Sequence, residues 1–457
     1  MLQKRQTELF CEWLGNFLDY ERIREKKEFS LETMRFLVNR FKHPENAFKS
    51  IHVAGSKGKG SVTTMMACIL ETAGKKTGIY TSPHILDFTE RISSPSGPFT
   101  DEIYGRAGDI IVPLVDSIIP GSIPGDMDPT WFELVTLFAF VTFKEAGLEW
   151  AVIETGLGGR LDATNVVHPE ACVITPIELE HTEYLGNTIT QIAGEKAGII
   201  KDGIPVFISG QKPAARSVFE ETAARHCVPL FSMEEAVKSI GAKVAADGLS
   251  VDISFNRLPG GAQFTRNLHT KLRLVGEIQA KNAALAAYTV KYLFPDMNEE
   301  TIEEGLSHAW LPGRFEIVPG SSPIILDGAH TVQSMTLTLE TFRRIYTSDA
   351  HLVFACAADK NVDLMAELFR EGFSSITITR PGERKQSDIS HAEAAFRHVF
   401  SDEKAAILHV DTDYATVLQE AFETAYKTGI PLLVTGSFYL VAEAKKILAH
   451  LNQDQGR

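Results

Sequence analysis

At 457 residues the chain is longer than one hydrophobic core usually serves, so two domains are expected. Hydrophobic residues make up 44% and charged residues 23%, the balance of an ordinary soluble globular protein. The net charge of −14 argues against non-specific nucleic-acid binding, which needs a basic footprint, so an acidic substrate has to be drawn in by local basic or metal sites.

Cys11, Cys68, Cys172, Cys227 and Cys356 are scattered, odd in number and without a CxxC pair. Neither a disulfide framework nor a structural zinc site is expected, and a reducing compartment fits. The opening MLQKRQTELFCEWLG has no apolar core or small-residue cleavage site, and IIVPLVDSII is interrupted by Pro113 and Asp116. A cytoplasmic protein without a membrane partner is the expectation.

Strands alternate with helices in the first half. IHVA (51–54) predicts a strand, Ser61 to Thr72 a helix, and TGIYTS (77–82) the next strand. Stretches 93–99 and 119–129 are rich in Gly, Pro, Ser and Asp and read as loops. A long helix is predicted from Trp131 to Ala146, then buried strands at WAVIE (150–154) and CVIT (172–175). Uninterrupted apolar strands separated by helices imply a parallel sheet covered on both faces. From about Ala242 to Glu277 shorter alternating segments predict a small antiparallel sheet, and 279–294 a helix. The alternation resumes with PIILD (323–327), HLVFAC (351–356), SSITIT (374–379), AAILHV (405–410) and PLLVT (431–435). The expected boundary lies near Leu311, giving domains 1–310 and 311–457, both α/β.

Gly55-Ser56-Lys57-Gly58-Lys59-Gly60-Ser61 follows a strand and opens a helix. Glycines let successive backbone N–H groups converge on an anion, and the helix N-terminus adds its dipole. Lys59 is the candidate for neutralising outer phosphates and Ser61 for reaching magnesium. Val53 stands where the first Gly of GxxxxGK[ST] belongs, and Gly60 separates Lys59 from Ser61; a plain glycine-rich turn with solvated lysines is the competing reading.

Glu154 ends a buried strand, so its carboxylate faces the crevice where open α/β sheets bind ligands, and it suits Mg²⁺. The alternative is a loop-stabilising Glu. GLGGR (156–160) fails as a dinucleotide fingerprint because Leu161 replaces the third glycine. His181 approaches the same edge after the next strand; alone it reads as a loop residue, and Lys196 alone as a surface lysine.

Together, IHVAGSKGKGS, YTSPHILDFTERI, PTWFELVTLFAF, ETGLGGRLDATN, HTEYLGNTITQIAGEKAGIIK, NAALAAY, LPGRFEIV, LDGAH and VTGSFYLVAE resemble the folylpolyglutamate synthase and dihydrofolate synthase family of the Mur-ligase group, over nearly the whole chain. The resemblance implies a P-loop ATPase domain with a mostly parallel sheet and a Rossmann-like C-terminal domain. It implies ATP bound by Gly58, Lys59, Gly60, Ser61, Asn282, Arg314 and Asp327, with Asn282 at the adenine and His330 near the phosphates. It implies Mg²⁺ ligands at Ser61, Ser82, Glu154 and His181, catalytic roles for Lys59, Lys196 and His330, and carbamylation of Lys196. It further implies a folate pocket at Thr130, Trp131, Phe132, Glu133, Leu161, Asp162 and Ala163. Departures from the common bacterial pattern are Ser56-Lys57, Glu178 and Glu180 before His181, Ile278, and Thr331-Val332.

The implied activity is ATP-dependent addition of L-glutamate to a folate through an acyl phosphate, by a monomer, with dihydropteroate as a second acceptor left open. The rivals are a Mur-type peptide ligase acting on a cell-wall precursor and a nucleotide-driven switch, the latter disfavoured because no NKxD segment is present.

Overall fold

The computed structural model describes residues 5–19, 30–119, 121–124, 128–257, 263–320, 322–346, 349–383, 385–400 and 407–454. The chain forms two compact units: Met1–Gly241 with Val251–Lys271 and Gln279–Trp310, and Ala242–Ser250 with Leu272–Ile278 and Leu311–Arg457. The main stretch of the second unit starts at Leu311, but two short stretches of the preceding region cluster with it. The physical reason is apolar: Val275 is part of the core of the second unit, and Val244 packs against it.

The first unit is built on strands β1 (Lys49–Ala54), β2 (Thr77–Tyr80), β3 (Ile92–Ser94), β4 (Gly97–Pro98), β5 (Trp150–Glu154), β6 (Ala171–Ile174), β7 (Val206–Ile208) and β8 (Leu230–Ser232). They form one sheet in the order β4-β3-β2-β5-β1-β6-β7-β8. Six of the eight run parallel, and β5 and β6 are buried at every residue, as strands covered on both faces must be. The segment expected to be loop at 93–99 contains instead the β3–β4 hairpin, with Ser93 opposite Pro98 and Ser94 opposite Gly97. Its Ser-Pro-Ser-Gly composition signals a turn, but backbone pairing at a sheet edge tolerates those residues, proline included.

The helix Lys59–Thr72 is buried continuously from Ser61 to Leu70. The helix Trp131–Glu145 starts at a Thr130–Glu133 capping box and buries Phe138, whose ring stacks on Phe10 with centroids 3.9 Å apart. The helix Ile278–Leu293 is buried along most of its length. Strands β9 (Val237–Ala245), β10 (Gly248–Phe255) and β11 (Leu268–Leu272) form the small antiparallel sheet, in the order β11-β10-β9.

In the second unit β12 (Glu316–Val318), β13 (Ile324–Asp327), β14 (Ala350–Phe354), β15 (Phe373–Ile378), β16 (Leu408–Val410) and β17 (Leu432–Thr435) are ordered β12-β13-β17-β14-β15-β16. All are parallel except β12. Residues 405 and 406 of the expected AAILHV strand lie outside the described residues. All five cysteines are free, and among the described residues no helix is long and apolar enough to cross a membrane.

Candidate active site

β1 lies at the centre of the first sheet, between β5 and β6, and the glycine-rich loop leaves its carboxyl end. Gly58 caps the helix Lys59–Thr72 with φ of +85°, a left-handed conformation that glycine adopts without strain. A Cβ there would also lie 2.9 Å from Asn282 Oδ1, so the loop is packed directly on the helix Ile278–Leu293. Asn282 is buried and donates from Nδ2 to Gln279 Oε1 at 2.9 Å. The loop is anchored from β6 as well: the N–H groups of Ser56 and Lys57 donate to the Pro176 carbonyl, and Glu178 N donates to Ser56 Oγ at 3.0 Å.

Lys59 Nζ stands 3.9 Å from Glu154 Oε1, and the other Glu154 oxygen accepts from the Ser82 backbone N–H at 3.2 Å. Register explains the meeting: Val53 of β1 pairs with Glu154 of β5, so the loop and the carboxylate emerge side by side. Ser61 and Glu154 are both buried. The structure therefore brings together Lys59, Glu154 and the Ser82 backbone at one sheet edge.

Beneath the loop lies a second charged cluster. Lys196, from the helix Ile189–Ala197, is only 2% exposed, so it is a buried residue and no surface lysine. Its ammonium donates to the Gly55 carbonyl at 2.6 Å and to Glu180 Oε1 at 3.2 Å. Lys57 Nζ is 3.8 Å from the other Glu180 oxygen. Burial, then the charge of Lys59, lowers the Lys196 pKa to about 8 against the opposing pull of Glu180. Burial would raise Glu180, yet the charges of Lys59, Lys196 and Lys57 outweigh it and bring that carboxyl down to about 2. Glu180, noted in the sequence only as a departure, is thus the acidic centre of three lysines; no local pattern signals this. His181 beside it is exposed, with φ of +47°.

The folate-side candidates divide by what their polar atoms already do. The Glu133 carboxylate accepts from Thr130 N at 2.8 Å and Thr130 Oγ1 at 2.7 Å, closing the helix cap. Asp162 is buried and accepts from Leu157 N at 2.8 Å, Thr164 N at 3.0 Å and the Thr164 hydroxyl, which makes it a loop organiser. His52 of β1 extends that network, with Nε2 2.8 Å from Thr164 Oγ1. Trp131 is buried beneath Arg91, whose guanidinium carbon is 4.9 Å from the ring centroid, while Arg91 Nε donates to His84 Nδ1 at 2.7 Å. Ala163 is buried, whereas Phe132 and Leu161 are partly open. Phe132 packs on Gly156, where a Cβ would fall 2.3 Å from its ring.

In the second unit Asp327 ends β13. Its carboxylate accepts from Phe315 N at 2.7 Å, Ala329 N at 2.9 Å and Thr338 Oγ1 at 2.8 Å. Burial pushes its pKa up, and those hydrogen bonds oppose the rise. Arg314 and His330 flank these tethered turns. His330 Nδ1 donates to the Gly328 carbonyl at 2.8 Å, since a carbonyl can only accept; in the neutral imidazole Nε2 is then the acceptor nitrogen.

The large, mostly parallel sheet, the small antiparallel sheet and the second C-terminal sheet match the Mur-ligase fold. Residues 120–290 match the Mur ligase middle domain and residues 313–438 the Mur ligase glutamate ligase domain. The chain is 32% identical over 435 residues to a dihydrofolate synthase/folylpolyglutamate synthase of Bacillus subtilis, covering 92% of this chain and 94% of that one. It is therefore a member of the folylpolyglutamate synthase/dihydrofolate synthase family. Its fold is similar to Mycobacterium tuberculosis folylpolyglutamate synthase complexed with ADP and AMPPCP, with a TM-score of 0.84 and 25% identity over 97% of this chain and 98% of that one. An FPGS–AMPPCP–folate complex superposes with a TM-score of 0.78 and 27% identity, over 97% of this chain and 100% of that one.

Proposed function

We propose that this chain is an ATP-dependent ligase that adds L-glutamate to folate through an acyl phosphate. The observation that carries the reading is the phosphate loop Gly58–Ser61, with Lys59 3.9 Å from the strand-end Glu154, in a chain of this family. Residues 1–310 are the main ATP-binding part, and residues 311–457 are the glutamate-ligase part, which adds further nucleotide contacts. The enzyme works as a cytoplasmic monomer.

The chemical problem is to make a carboxylate electrophilic. The loop N–H groups and Lys59 hold the ATP phosphates and offset the charge that spreads over the transferring phosphoryl group. The folate carboxylate takes that group and becomes an acyl phosphate. The amine of glutamate attacks the carbonyl carbon, and phosphate leaves from the tetrahedral intermediate. Asn282 holds the adenine, Arg314 and Asp327 serve the nucleotide, and His330 faces its phosphates.

The oxygen donors present suit Mg²⁺, which keeps phosphate and water ligands and asks little of the protein. Glu154 with the hydroxyls of Ser61 and Ser82 and the His181 ring would hold it, and bound there it supplies charge compensation to the phosphates. Among the described residues no group of three or more His, Cys, Asp and Glu is gathered as a metal site, so hydroxyls and substrate oxygens have to complete the set. Carbamylation of Lys196 is favoured by a pKa of about 8, which leaves a neutral fraction of amine, and by the neighbouring cation Lys59. Phe132, Leu161 and their neighbours form the folate side.

The test is product analysis. Purified protein with ATP, a reduced folate and labelled glutamate yields ADP, phosphate and folate longer by one glutamate, in equal amounts. Dihydropteroate in a parallel reaction decides the second acceptor. Absence of folate product, with turnover of a cell-wall peptide precursor, rejects the reading in favour of a peptide ligase.

A further inference from the structure

The neighbours β13 and β17 pair in parallel with Asp327 opposite Thr435, so the turns that follow them, Gly328–His330 and Gly436–Phe438, leave the sheet side by side. β12 runs antiparallel to β13, with Glu316 opposite Leu326, which places the turn before it, Gly313–Phe315, at the same edge. One aromatic ring lies where the three turns meet. The guanidinium carbon of Arg314 is 4.3 Å from the Phe438 ring centroid, within the range of a cation–π contact. The His330 ring approaches the same side chain edge-on, with centroids 5.6 Å apart and planes at 61°. The ring sits on the Gly328 backbone, where a Cβ would fall 2.1 Å from a ring carbon. Arg314, His330 and Phe438 are all partly exposed, so the ring presents the cation at the surface of its unit and does not bury it.

We propose that Phe438 is a positioning residue for the reaction: its ring, fixed by Gly328 and His330, holds the Arg314 guanidinium in place to receive a nucleotide phosphate. This rests on the reading of Arg314 as a nucleotide contact. A long arginine on a turn has many rotamers, and ordering it on binding costs affinity. A ring that holds the planar guanidinium beforehand removes part of that cost, and leucine, similarly apolar, lacks the π face that does so.

The experiment is a double-mutant cycle on the full chain with Phe438→Leu, Arg314→Ala and the double variant, plus Phe438→Tyr as the conservative change. Steady-state kinetics with ATP varied, and calorimetric binding of AMPPCP, are the readouts. Phe438→Leu lowers kcat/KM for ATP about three- to tenfold and leaves KM for glutamate unchanged. Phe438→Tyr stays within about twofold of wild type, and in the Arg314→Ala background Phe438→Leu costs less than about twofold. If Phe438→Leu does not fold, Phe438→Met takes its place. A Leu variant equal to wild type, a Tyr variant as impaired as Leu, or a full-sized effect persisting without Arg314 overturns the proposal alone. An Arg314→Ala enzyme with unchanged ATP parameters overturns it by removing the reading beneath it, and wild-type ligation of folate in the same assay keeps that outcome separate from a failure of the overall function.

Discussion

Glu180→Gln isolates one charge in the buried cluster, because glutamine keeps an oxygen to accept from Lys196 while removing the carboxylate that three lysines share. The Glu180 side chain is 14% exposed, so solvent screening is modest. Its pKa falls from an ordinary 4.5 to about 2, and with each tenfold in acidity worth ~1.4 kcal/mol the folded state gains about 3 kcal/mol from the ionised form at pH 7. The sign follows from the depressed value: the stabilisation is complete above pH 4.5 and is lost as pH falls toward 2, so it drops to about 2 kcal/mol at pH 3.5. All four tryptophans, Trp13, Trp131, Trp150 and Trp310, belong to the first unit, so their fluorescence during urea denaturation reports that unit alone. In protein freed of bicarbonate, so that Lys196 is not carbamylated, wild type is expected to exceed Glu180→Gln by up to about 3 kcal/mol at pH 7, with Lys196 partly neutralising in the variant and reducing the gap. A gap under about 1 kcal/mol at pH 7, or one that does not narrow between pH 7 and pH 3.5, refutes the assignment of Glu180 as the acidic centre.

Lys59→Ala and Glu154→Ala are each expected to fold normally and to lose about a hundredfold in ligation rate, as removal of one electrostatic contributor commonly does; near-normal turnover in either would sink the site assignment. Protein equilibrated with ¹³C-bicarbonate is expected to give a carbamate resonance that is absent from Lys196→Ala, and identical spectra for the two would dismiss carbamylation. Gly305→Ala, in the helix Glu299–His308, places a Cβ 2.4 Å from Ile69 Cα in the helix Lys59–Thr72 and is expected to destabilise the first unit by about 1–3 kcal/mol; an unchanged urea midpoint would show that these two helices do not approach so closely.

What the sequence determined by itself was whatever depends on near neighbours. Apolar runs such as WAVIE and PLLVT marked buried strands because a strand covered on both faces needs no polar residue, and Gly-Ser-Lys-Gly-Lys-Gly-Ser marked the tight turn from a strand into a helix because glycine admits the backbone angles such a turn needs. Composition misled at 93–99, since edge pairing is made by backbone atoms and admits Ser, Gly and Pro. Register and burial belonged to the tertiary structure. Lys196 looks like a helix-surface lysine until the fold sets its ammonium against the Gly55 carbonyl, 141 positions away, and against a carboxylate that local sequence gives no reason to single out. His52 and Thr164 meet across 112 positions to steady Asp162, and Phe438 lies under Arg314 only because β12, β13 and β17 are neighbours in one sheet. A side chain carries its chemistry in the sequence, but its partners, and with them its pKa and orientation, exist only once strand order has brought distant turns to the same edge.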